Sequence, residues 1–297
     1  MEIIIGKNAG FCYGVKRAVD GAKQELDNGQ NIYCLGEIVH NKDVVKSLED
    51  LGITFVDEIS SSKGTTIIRA HGVEKNTYKK AKSLGITIKD YTCPKVLKIH
   101  EIAEEYSKKG YFIMLTGSKE HPENIGTISF CGDNYFVIEN EDKIQEAIDE
   151  FNKSGIKKLL IISQTTFSIE KFDIILNKLK EKIPSYIELV VKNTICSATK
   201  IRQKETQEIA QNVDIMIIIG GKNSSNTKKL YEIAKKYCKR CVCIENDSQI
   251  DLSIFRKEDK VGIMAGASTP QESINKVCKK LKRSIWTNFG LIKHISC

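Results

Sequence analysis

Three cysteines stand in the same local setting at widely separated places in this 297-residue chain. Cys12 follows the apolar run EIII, Cys93 follows ITIKDYT and Cys196 follows IELVVKNTI, and each precedes a helix-like stretch. A single cysteine at such a turn is more often a core residue than a ligand, because a free thiol packs as a small hydrophobe. Three in one setting predict a shared role, and thiolates are ligands of soft transition metals.

An internal repeat accompanies these cysteines. A glycine ends an apolar run 24 residues after each cysteine, and a polar residue able to bind an anion stands 28 residues after it. The glycines are Gly36, Gly117 and Gly220, and the polar residues are His40, His121 and Ser224. The motifs RAHGV, SQTTFS and AGASTP supply a second polar position, at His71, Thr165 and Ser268. Because several spacings agree, the sequence predicts three related units.

The elements that must position these residues are short β-branched runs separated by longer amphipathic stretches, a pattern typical of βαβ units with parallel sheets. We therefore predict an α/β fold of three pseudo-repeated domains with small parallel sheets. The predicted units are residues 13–93, 94–193 and 194–284, with the N-terminal strand 1–12 completing the third and residues 285–297 forming a tail. The helix after Cys196 has the weakest amphipathic pattern of the three that follow the cysteines.

Ligands of parallel α/β sheets bind beyond the carboxyl ends of the strands, where helix N-termini also point. Three related units around an axis would bring the three cysteines to its centre, ringed by polar loops. Imidazoles, hydroxyls, an amide and helix N-termini suit a phosphate or diphosphate. The candidate anion-binding residues are His40, His71, His121, Thr165, Ser224, Ser225, Asn226 and Ser268.

The sequence leaves two interpretations of the three cysteines open. Structural zinc normally takes four ligands in paired spacing, which these cysteines lack. An iron–sulfur cube usually takes four cysteines, so three would leave one iron open for a substrate. The alternative is three small buried residues at tight turns, and the repeat favours the metal. The segment YCKRCVCIEN places Cys238, Cys241 and Cys243 close together, but no second ligand pair follows at zinc spacing, so we expect no metal there, and the sequence leaves the role of these three cysteines open.

Composition narrows the class of protein. Apolar residues make up 41% and charged residues 28%, as in an ordinary globular protein. No apolar run approaches the roughly 20 residues that span a bilayer, and the N-terminus does not resemble a secretory signal. We therefore expect a cytoplasmic protein with reduced thiols and no membrane partner. The net charge of +8 is spread in mixed sign along helices, and aromatic residues are only 7%, so we expect no nucleic-acid partner.

The motifs resemble those of the 4-hydroxy-3-methylbut-2-enyl diphosphate reductase family, in the same order and along nearly the whole chain. The matching segments are GFCYGVKRAV, EIVHN, RAHGV, DYTCPKV, HPENIGT, SQTTFS, TICSATKIRQ, GGKNSSN and AGASTP. The resemblance implies reductive removal of the substrate's C4 hydroxyl, bound at the open iron of a [4Fe–4S] cluster, to give isopentenyl and dimethylallyl diphosphates. It also implies a ferredoxin or flavodoxin as the electron donor.

The resemblance assigns roles residue by residue. Cys12, Cys93 and Cys196 match the cluster ligands, Glu123 matches the proton donor, and Thr165 matches the hydroxyl that helps orient the substrate. The residues that match the diphosphate-binding set are His40, His71, His121, Ser224, Ser225, Asn226 and Ser268.

Two other functions compete with this interpretation. A quinolinate-synthase-like [4Fe–4S] dehydratase also has three related α/β domains and three cysteines, but its substrate is carboxylated, whereas GGKNSSN and the three histidines suit a diphosphate. A basic metal- or RNA-binding protein would cluster its cations with aromatic residues, which this sequence does not do.

Overall fold

The computed structural model describes residues 1–27 and 31–288. Twelve strands form in this part of the chain: β1 (Glu2–Ile5), β2 (Ile32–Leu35), β3 (Thr54–Val56), β4 (Thr65–Ile68), β5 (Ile88–Asp90), β6 (Phe112–Thr116), β7 (Tyr135–Ile138), β8 (Lys158–Ser163), β9 (Glu188–Val191), β10 (Ile215–Ile219), β11 (Cys241–Ile244) and β12 (Lys260–Ala265). The ten α-helices are α1 (Tyr13–Asp27), α2 (Lys42–Asp50), α3 (Lys75–Ser83), α4 (Pro94–Lys108), α5 (Pro122–Ile128), α6 (Ile144–Lys153), α7 (Ile169–Lys182), α8 (Ser197–Ala210), α9 (Ser225–Tyr237) and α10 (Gln271–Asn288).

The strands form three four-stranded sheets, and every strand pair in them is parallel. Their orders are β3-β2-β4-β5, β7-β6-β8-β9 and β11-β10-β12-β1. All three therefore follow one plan, in which the first strand lies between the second and the third and the fourth forms an edge. The predicted α/β class with small parallel sheets is confirmed.

The short β-branched runs of the sequence predict ten of these strands and leave out β3 and β7. The runs are EIII, NIYCL, TTIIRA, ITIKDY, YFIML, KLLIIS, IELVV, DIMIII, RCVCI and KVGIM. Both missing strands occupy the same edge position, pairing only with the first strand of their sheet. β3 has three residues, none of them fully buried, which is too short for a clear pattern. β7 is the apolar run YFVI, which the sequence analysis overlooked.

The chain divides into two compact units, described separately here. The single-sheet unit comprises Met1–Cys12, His40–Val44 and Lys200–Cys297 and contains the sheet of β10, β11, β12 and β1. Its central strand β10 is buried on both faces. Ile217 and Ile219 pack into one apolar cluster, whereas Met216 and Ile218 pack into another on the opposite face. Burial on both faces explains why the strand is apolar throughout.

The two-sheet unit comprises Tyr13–Val39 and Val45–Thr199 and contains the other two sheets. Strand β6 is buried along its whole length. Phe112 and Met114 face one apolar cluster, and Ile113 and Leu115 face the other. The alternation is that of a parallel strand covered by helices on both sides.

The N-terminal strand β1 is the fourth strand of the sheet formed by the C-terminal part of the chain. It pairs with β12 from Glu2 opposite Lys260 to Ile5 opposite Ile263. The division into units 13–93, 94–193 and 194–284 stays a prediction, and residues 289–297 of the predicted tail lie outside the described residues. None of the described helices is both long and apolar enough to cross a bilayer.

Candidate active site

The three cysteines Cys12, Cys93 and Cys196 occupy equivalent positions in the three sheets. Each follows the edge strand that is fourth in its sheet and directly precedes α1, α4 or α8. The backbone N–H of each donates to a carbonyl in the loop after the neighbouring third strand. The pairs are Cys12 with Ala267 at 3.1 Å, Cys93 with Ala70 at 3.0 Å and Cys196 with Thr165 at 3.0 Å. All three are half-buried free thiols.

The loop before Cys12 is held by two residues of α8. The Glu205 carboxylate accepts hydrogen bonds from the backbone N–H of Lys7 at 2.6 Å and from the backbone and side-chain nitrogens of Asn8, each at 3.0 Å. The buried Arg202 donates from Nη2 to the carbonyl of Gly10 at 2.8 Å. Sequence analysis missed both residues. The buried polar side chains of Arg202, Gln203 and Thr206 also explain the weak amphipathic pattern of α8, because its inner face is not apolar.

Cys93 lies against the bare backbone of α1. A Cβ atom placed on Gly14 would come within 2.6 Å of the Cys93 Sγ atom. Any larger residue at position 14 would therefore displace this thiol. Cys93 is also the N-cap residue of α4, so its side chain stands at the positive end of that helix, where negative charge is favoured.

The other described cysteines have a different character. Burial raises the pKa of Cys34, Cys131 and Cys241 to about 12 and also raises the pKa of Cys238, Cys243 and Cys278. A thiol whose ionisation is suppressed is a poor metal ligand. Cys238 belongs to an apolar cluster of buried residues, and Cys241 and Cys243 pack against it.

The repeat glycines Gly36, Gly117 and Gly220 follow the first strands β2, β6 and β10 and all have positive φ, at 68°, 151° and 155°. Residues with a Cβ rarely adopt this backbone conformation, so glycine is required at each turn. A Cβ on Gly220 would also lie 2.4 Å from Thr227 Oγ1. These turns lead the chain from the first strand of each sheet towards His40, His121 and Ser224.

Glu123 and Thr165 form a buried pair in the two-sheet unit. The Thr165 backbone N–H donates to Glu123 Oε1 at 2.6 Å, and its hydroxyl donates to Oε2 at 2.5 Å. Glu123 is only 2% exposed. Burial raises the pKa of this carboxyl to about 7, and the two hydrogen bonds from Thr165 partly oppose the rise. A carboxyl with this pKa can hold and release a proton near neutral pH.

His121 lies beside Glu123 in the chain and in space, and His71 contacts His121. His121 is the N-cap of α5, and its Nδ1 accepts the backbone N–H of Glu123 at 3.2 Å. An accepting Nδ1 leaves the proton of a neutral ring on Nε2. The His71 and His121 rings meet edge to face with their centroids 5.5 Å apart. The third-strand and first-strand loops of the two-sheet unit therefore bring two imidazoles together.

The single-sheet unit contains His40 and Ser268, which are in contact, and Ser224, Ser225 and Asn226 at the start of α9. Ser224 caps α9 by accepting the backbone N–H of Thr227 at 3.3 Å, and Ser225 is the first residue of that helix. Ser268 donates from its hydroxyl to the His40 carbonyl at 3.2 Å. Asn226 is 3% exposed, and neither of its side-chain polar atoms has a hydrogen-bond partner among the described residues. An unpaired buried amide is costly unless a ligand satisfies it.

Fold and site together define an α/β protein with three like parallel sheets, each presenting one cysteine and polar residues at its carboxyl strand ends. Residues 3–282 match the family model described as LytB protein, and the chain belongs to the LytB family.

Two relatives named 4-hydroxy-3-methylbut-2-enyl diphosphate reductase are similar over most of the chain. That of Caldanaerobacter subterraneus subsp. tengcongensis is 41% identical over 95% of this chain and 97% of its own length. That of Clostridioides difficile is 42% identical over 93% of this chain and 98% of its own length.

Two solved structures share the fold. A structure of (E)-4-hydroxy-3-methyl-but-2-enyl diphosphate reductase, the terminal enzyme of the non-mevalonate pathway, is 38% identical with a TM-score of 0.69. The match covers 95% of this chain and all of that one. The E-1-hydroxy-2-methyl-but-2-enyl-4-diphosphate reductase of Plasmodium falciparum is 29% identical with a TM-score of 0.88, over 99% of this chain and 94% of that one.

Proposed function

We propose that this chain reduces 4-hydroxy-3-methylbut-2-enyl diphosphate to isopentenyl and dimethylallyl diphosphates. Two electrons and two protons break the C4–O bond and release water, which balances the reaction for either product. Membership of the LytB family and the names of the similar reductases support the substrate. The single observation that carries the chemistry is the buried Glu123, whose raised pKa suits the acid that such a leaving group requires.

A [4Fe–4S] cluster bound by Cys12, Cys93 and Cys196 would complete the site. The donor set fits such a cluster, because it consists of three half-buried free thiols at equivalent helix starts, and soft thiolates suit iron–sulfur centres. When bound, the cluster supplies one-electron transfer and an open iron position. The chain's own contribution is to fix the cysteine backbones: the Glu205 and Arg202 contacts hold the loop before Cys12, and Gly14 leaves space for the Cys93 thiol.

In this proposal the Glu123–Thr165 pair delivers the proton. Below about pH 7 the Glu123 carboxyl is protonated and can give its proton to the departing hydroxyl group. The Thr165 hydroxyl holds this carboxyl in one orientation, and the Thr165 carbonyl accepts the Cys196 amide. Thr165 therefore links Glu123, the proposed acid, to Cys196, a proposed cluster ligand. In this arrangement Thr165 also orients the substrate.

Diphosphate binding is assigned to His40, His71, His121, Ser224, Ser225, Asn226 and Ser268. The buried and unpaired amide of Asn226 supports this assignment, because a charged ligand would satisfy it. Imidazole N–H groups and serine hydroxyls add hydrogen bonds that are stronger to a charged acceptor than to a neutral one. Binding energy at the remote diphosphate positions the reacting end of the substrate.

The electron source in this proposal is a ferredoxin or a flavodoxin, because the cluster accepts one electron at a time. We place the reaction in the cytoplasm, where free thiols stay reduced.

The test is anaerobic purification of the full chain, followed by iron and sulfide analysis and by product analysis after addition of a chemical reductant and the diphosphate substrate. We expect a coloured protein that forms both five-carbon diphosphates. A colourless protein, or a coloured one that leaves the substrate unchanged, would contradict the proposal.

A further inference from the structure

The starts of α1 and α4 form an exposed surface in the two-sheet unit that combines apolar and cationic side chains. Tyr13, which directly follows Cys12, is 74% exposed, and Leu97 in the first turn of α4 is 36% exposed. Around them Lys16, Lys95 and Lys98 are exposed to solvent. The two helix starts are neighbours, because Gly14 of α1 lies against the Cys93 side chain and Arg17 donates to the carbonyl of Thr92 at 3.1 Å. Tyr13, Lys16, Lys95, Leu97 and Lys98 are called the α1/α4 face below.

The charge of this face opposes the usual preference of helix ends. A helix N-terminus carries partial positive charge, which favours acidic residues in the first turn. Neither α1 nor α4 has an acidic residue there, and the same holds for α8, which follows the third cysteine. Five of the other seven described helices do carry one. Lysines at an already positive helix end repel it, so this placement calls for a negative partner.

One lysine of the face has no local ion pair. Lys16 pairs with Asp20 at 2.5 Å and Lys98 pairs with Glu101 at 2.9 Å, so the compensating acids lie one turn further along each helix. Lys95, in the first turn of α4, is exposed and has no ion pair with any described residue. An unpaired surface cation steers an oppositely charged molecule to the surface.

We propose that the α1/α4 face is the docking surface for an acidic one-electron carrier protein, an inference that rests on the proposed cluster function. The face begins at the residues that follow Cys12 and Cys93, so a protein seated on it lies close to two proposed cluster ligands. Electron transfer weakens steeply with distance, and docking elsewhere would slow it. The exposed Tyr13 and Leu97 supply apolar contact, and the lysines supply complementary charge. Interfaces of electron-transfer partners are typically small and transient.

A second explanation of the lysines is that they offset the negative charge of the cluster itself. The two explanations differ in one measurable respect. A lysine that serves the cluster affects its reduction by every reductant. A lysine that serves docking affects only reduction by a protein donor.

The experiment compares Lys95→Glu and Leu97→Ala with the control Lys180→Glu on α7, an exposed lysine without an ion pair to the described residues. Stopped-flow absorbance follows reduction of the oxidised, cluster-loaded full chain by reduced flavodoxin, an acidic carrier, and by photoreduced deazariboflavin, an uncharged small reductant. For flavodoxin at low salt we expect Lys95→Glu to lower the second-order rate at least about fivefold, since charge complementarity governs association rates. Leu97→Ala should lower it about threefold with the salt dependence retained.

Rates with deazariboflavin should match the wild type in all variants, and Lys180→Glu should match it with both reductants. Flavodoxin rates within twofold of the wild type in Lys95→Glu and Leu97→Ala would overturn the docking face. Equal slowing with both reductants would also overturn it, because the lysine would then act on the cluster. A chain that never acquires iron–sulfur absorbance would overturn the proposed function and this inference together. A cluster-loaded chain whose variants are all reduced by flavodoxin at the wild-type rate would overturn the docking face alone.

Discussion

The carboxyl strand ends of the two units share a topology but differ in chemistry. In the two-sheet unit these ends carry the imidazoles of His71 and His121 and the buried Glu123, whose pKa burial raises to about 7. In the single-sheet unit they carry the hydroxyls of Ser224 and Ser268 and the amide of Asn226. The comparison teaches that the repeated sheet decides where a side chain stands, and the residue placed there decides whether it binds an anion or moves a proton.

The largest effect is expected from the feature that the two units share. Cys12→Ser in the single-sheet unit and Cys93→Ser or Cys196→Ser in the two-sheet unit should each abolish or cripple cluster binding, because a hydroxyl is a hard and poor iron–sulfur ligand. The measurement is visible absorbance with iron and sulfide content after anaerobic purification. Cys238→Ser, Cys241→Ser and Cys243→Ser are the matched controls and should keep the cluster. Equal absorbance in all six variants would show that the three helix-start cysteines are not the ligands.

The next largest effect concerns the two-sheet unit alone. Glu123→Gln keeps the shape of the side chain but removes its transferable proton, so C–O cleavage should slow by about a hundredfold or more. Single-turnover reduction measures cleavage, and substrate binding is followed separately by the cluster spectrum. The control is Glu120→Gln, an exposed residue three positions earlier in the same loop. Cleavage within a few-fold of the wild type would reduce Glu123 to a residue of the α5 start and leave the proton source unassigned.

In the single-sheet unit we expect a smaller effect, a loss of substrate affinity without a change in the cluster. Asn226→Ala removes hydrogen bonds to a charged group, each worth about 1.5–3 kcal/mol, so substrate affinity should fall roughly tenfold or more. His71→Ala should weaken binding similarly from the two-sheet side, and neither change should alter the cluster spectrum. Asn223→Ala, an exposed neighbour in the same loop, is the control. Wild-type affinity in Asn226→Ala would place the diphosphate elsewhere.

The last effect is on stability and depends on pH. The folded chain raises the pKa of Glu123 from 4.5 to about 7. Between these values an unfolded chain releases a proton that the folded chain keeps, so the free energy of unfolding falls as pH rises, by at most about 1.4 kcal/mol per pH unit from this group. Below pH 4.5 both states are protonated, and above about pH 7 this slope ends.

Glu123→Gln lacks this slope. The unfolding free energy of the variant minus that of the wild type should therefore increase from pH 5 to pH 7 and then level off. Denaturant titrations of both proteins at equal cluster loading measure this difference. A difference that stays constant over this range would mean that the buried carboxyl has an ordinary pKa.

The sequence predicted the fold well wherever burial imposes a clear pattern. The strands β6 and β10, buried along their whole length, and β8 and β12, buried after their first residue, are largely apolar runs, and the repeat revealed their equivalence. The edge strand β3 did not appear, because three residues without a fully buried one make no clear pattern, and the apolar run YFVI of β7 was overlooked. The burial of Glu123 was not predictable from HPE alone, since the same motif occurs at exposed helix starts.

The sequence also did not predict the residues that position the backbone around Cys12 and Cys93. Arg202 and Glu205 hold the loop before Cys12 across nearly 200 positions of chain, and no local pattern encodes such a contact. In the sequence α8 lacks a clear apolar face, because its buried face is polar. Gly14 is similar, because its role depends on the approach of Cys93, which only the folded chain reveals.

The pairing of β1 with β12 sets an order of events during synthesis. Cys12 is made long before the strand, loop and helix contacts that fix it, which come from positions 202–267. Chain segments emerge in sequence and fold as they become complete, so the first of these three cysteines cannot be held in place until those later segments have left the ribosome. β1 and β12 must then close a loop of more than 250 residues, a contact that forms late. A shortened chain that stops before β12 could present the backbone settings of Cys93 and Cys196 but not that of Cys12, which makes synthesis through β12 a checkpoint for assembling a three-cysteine centre.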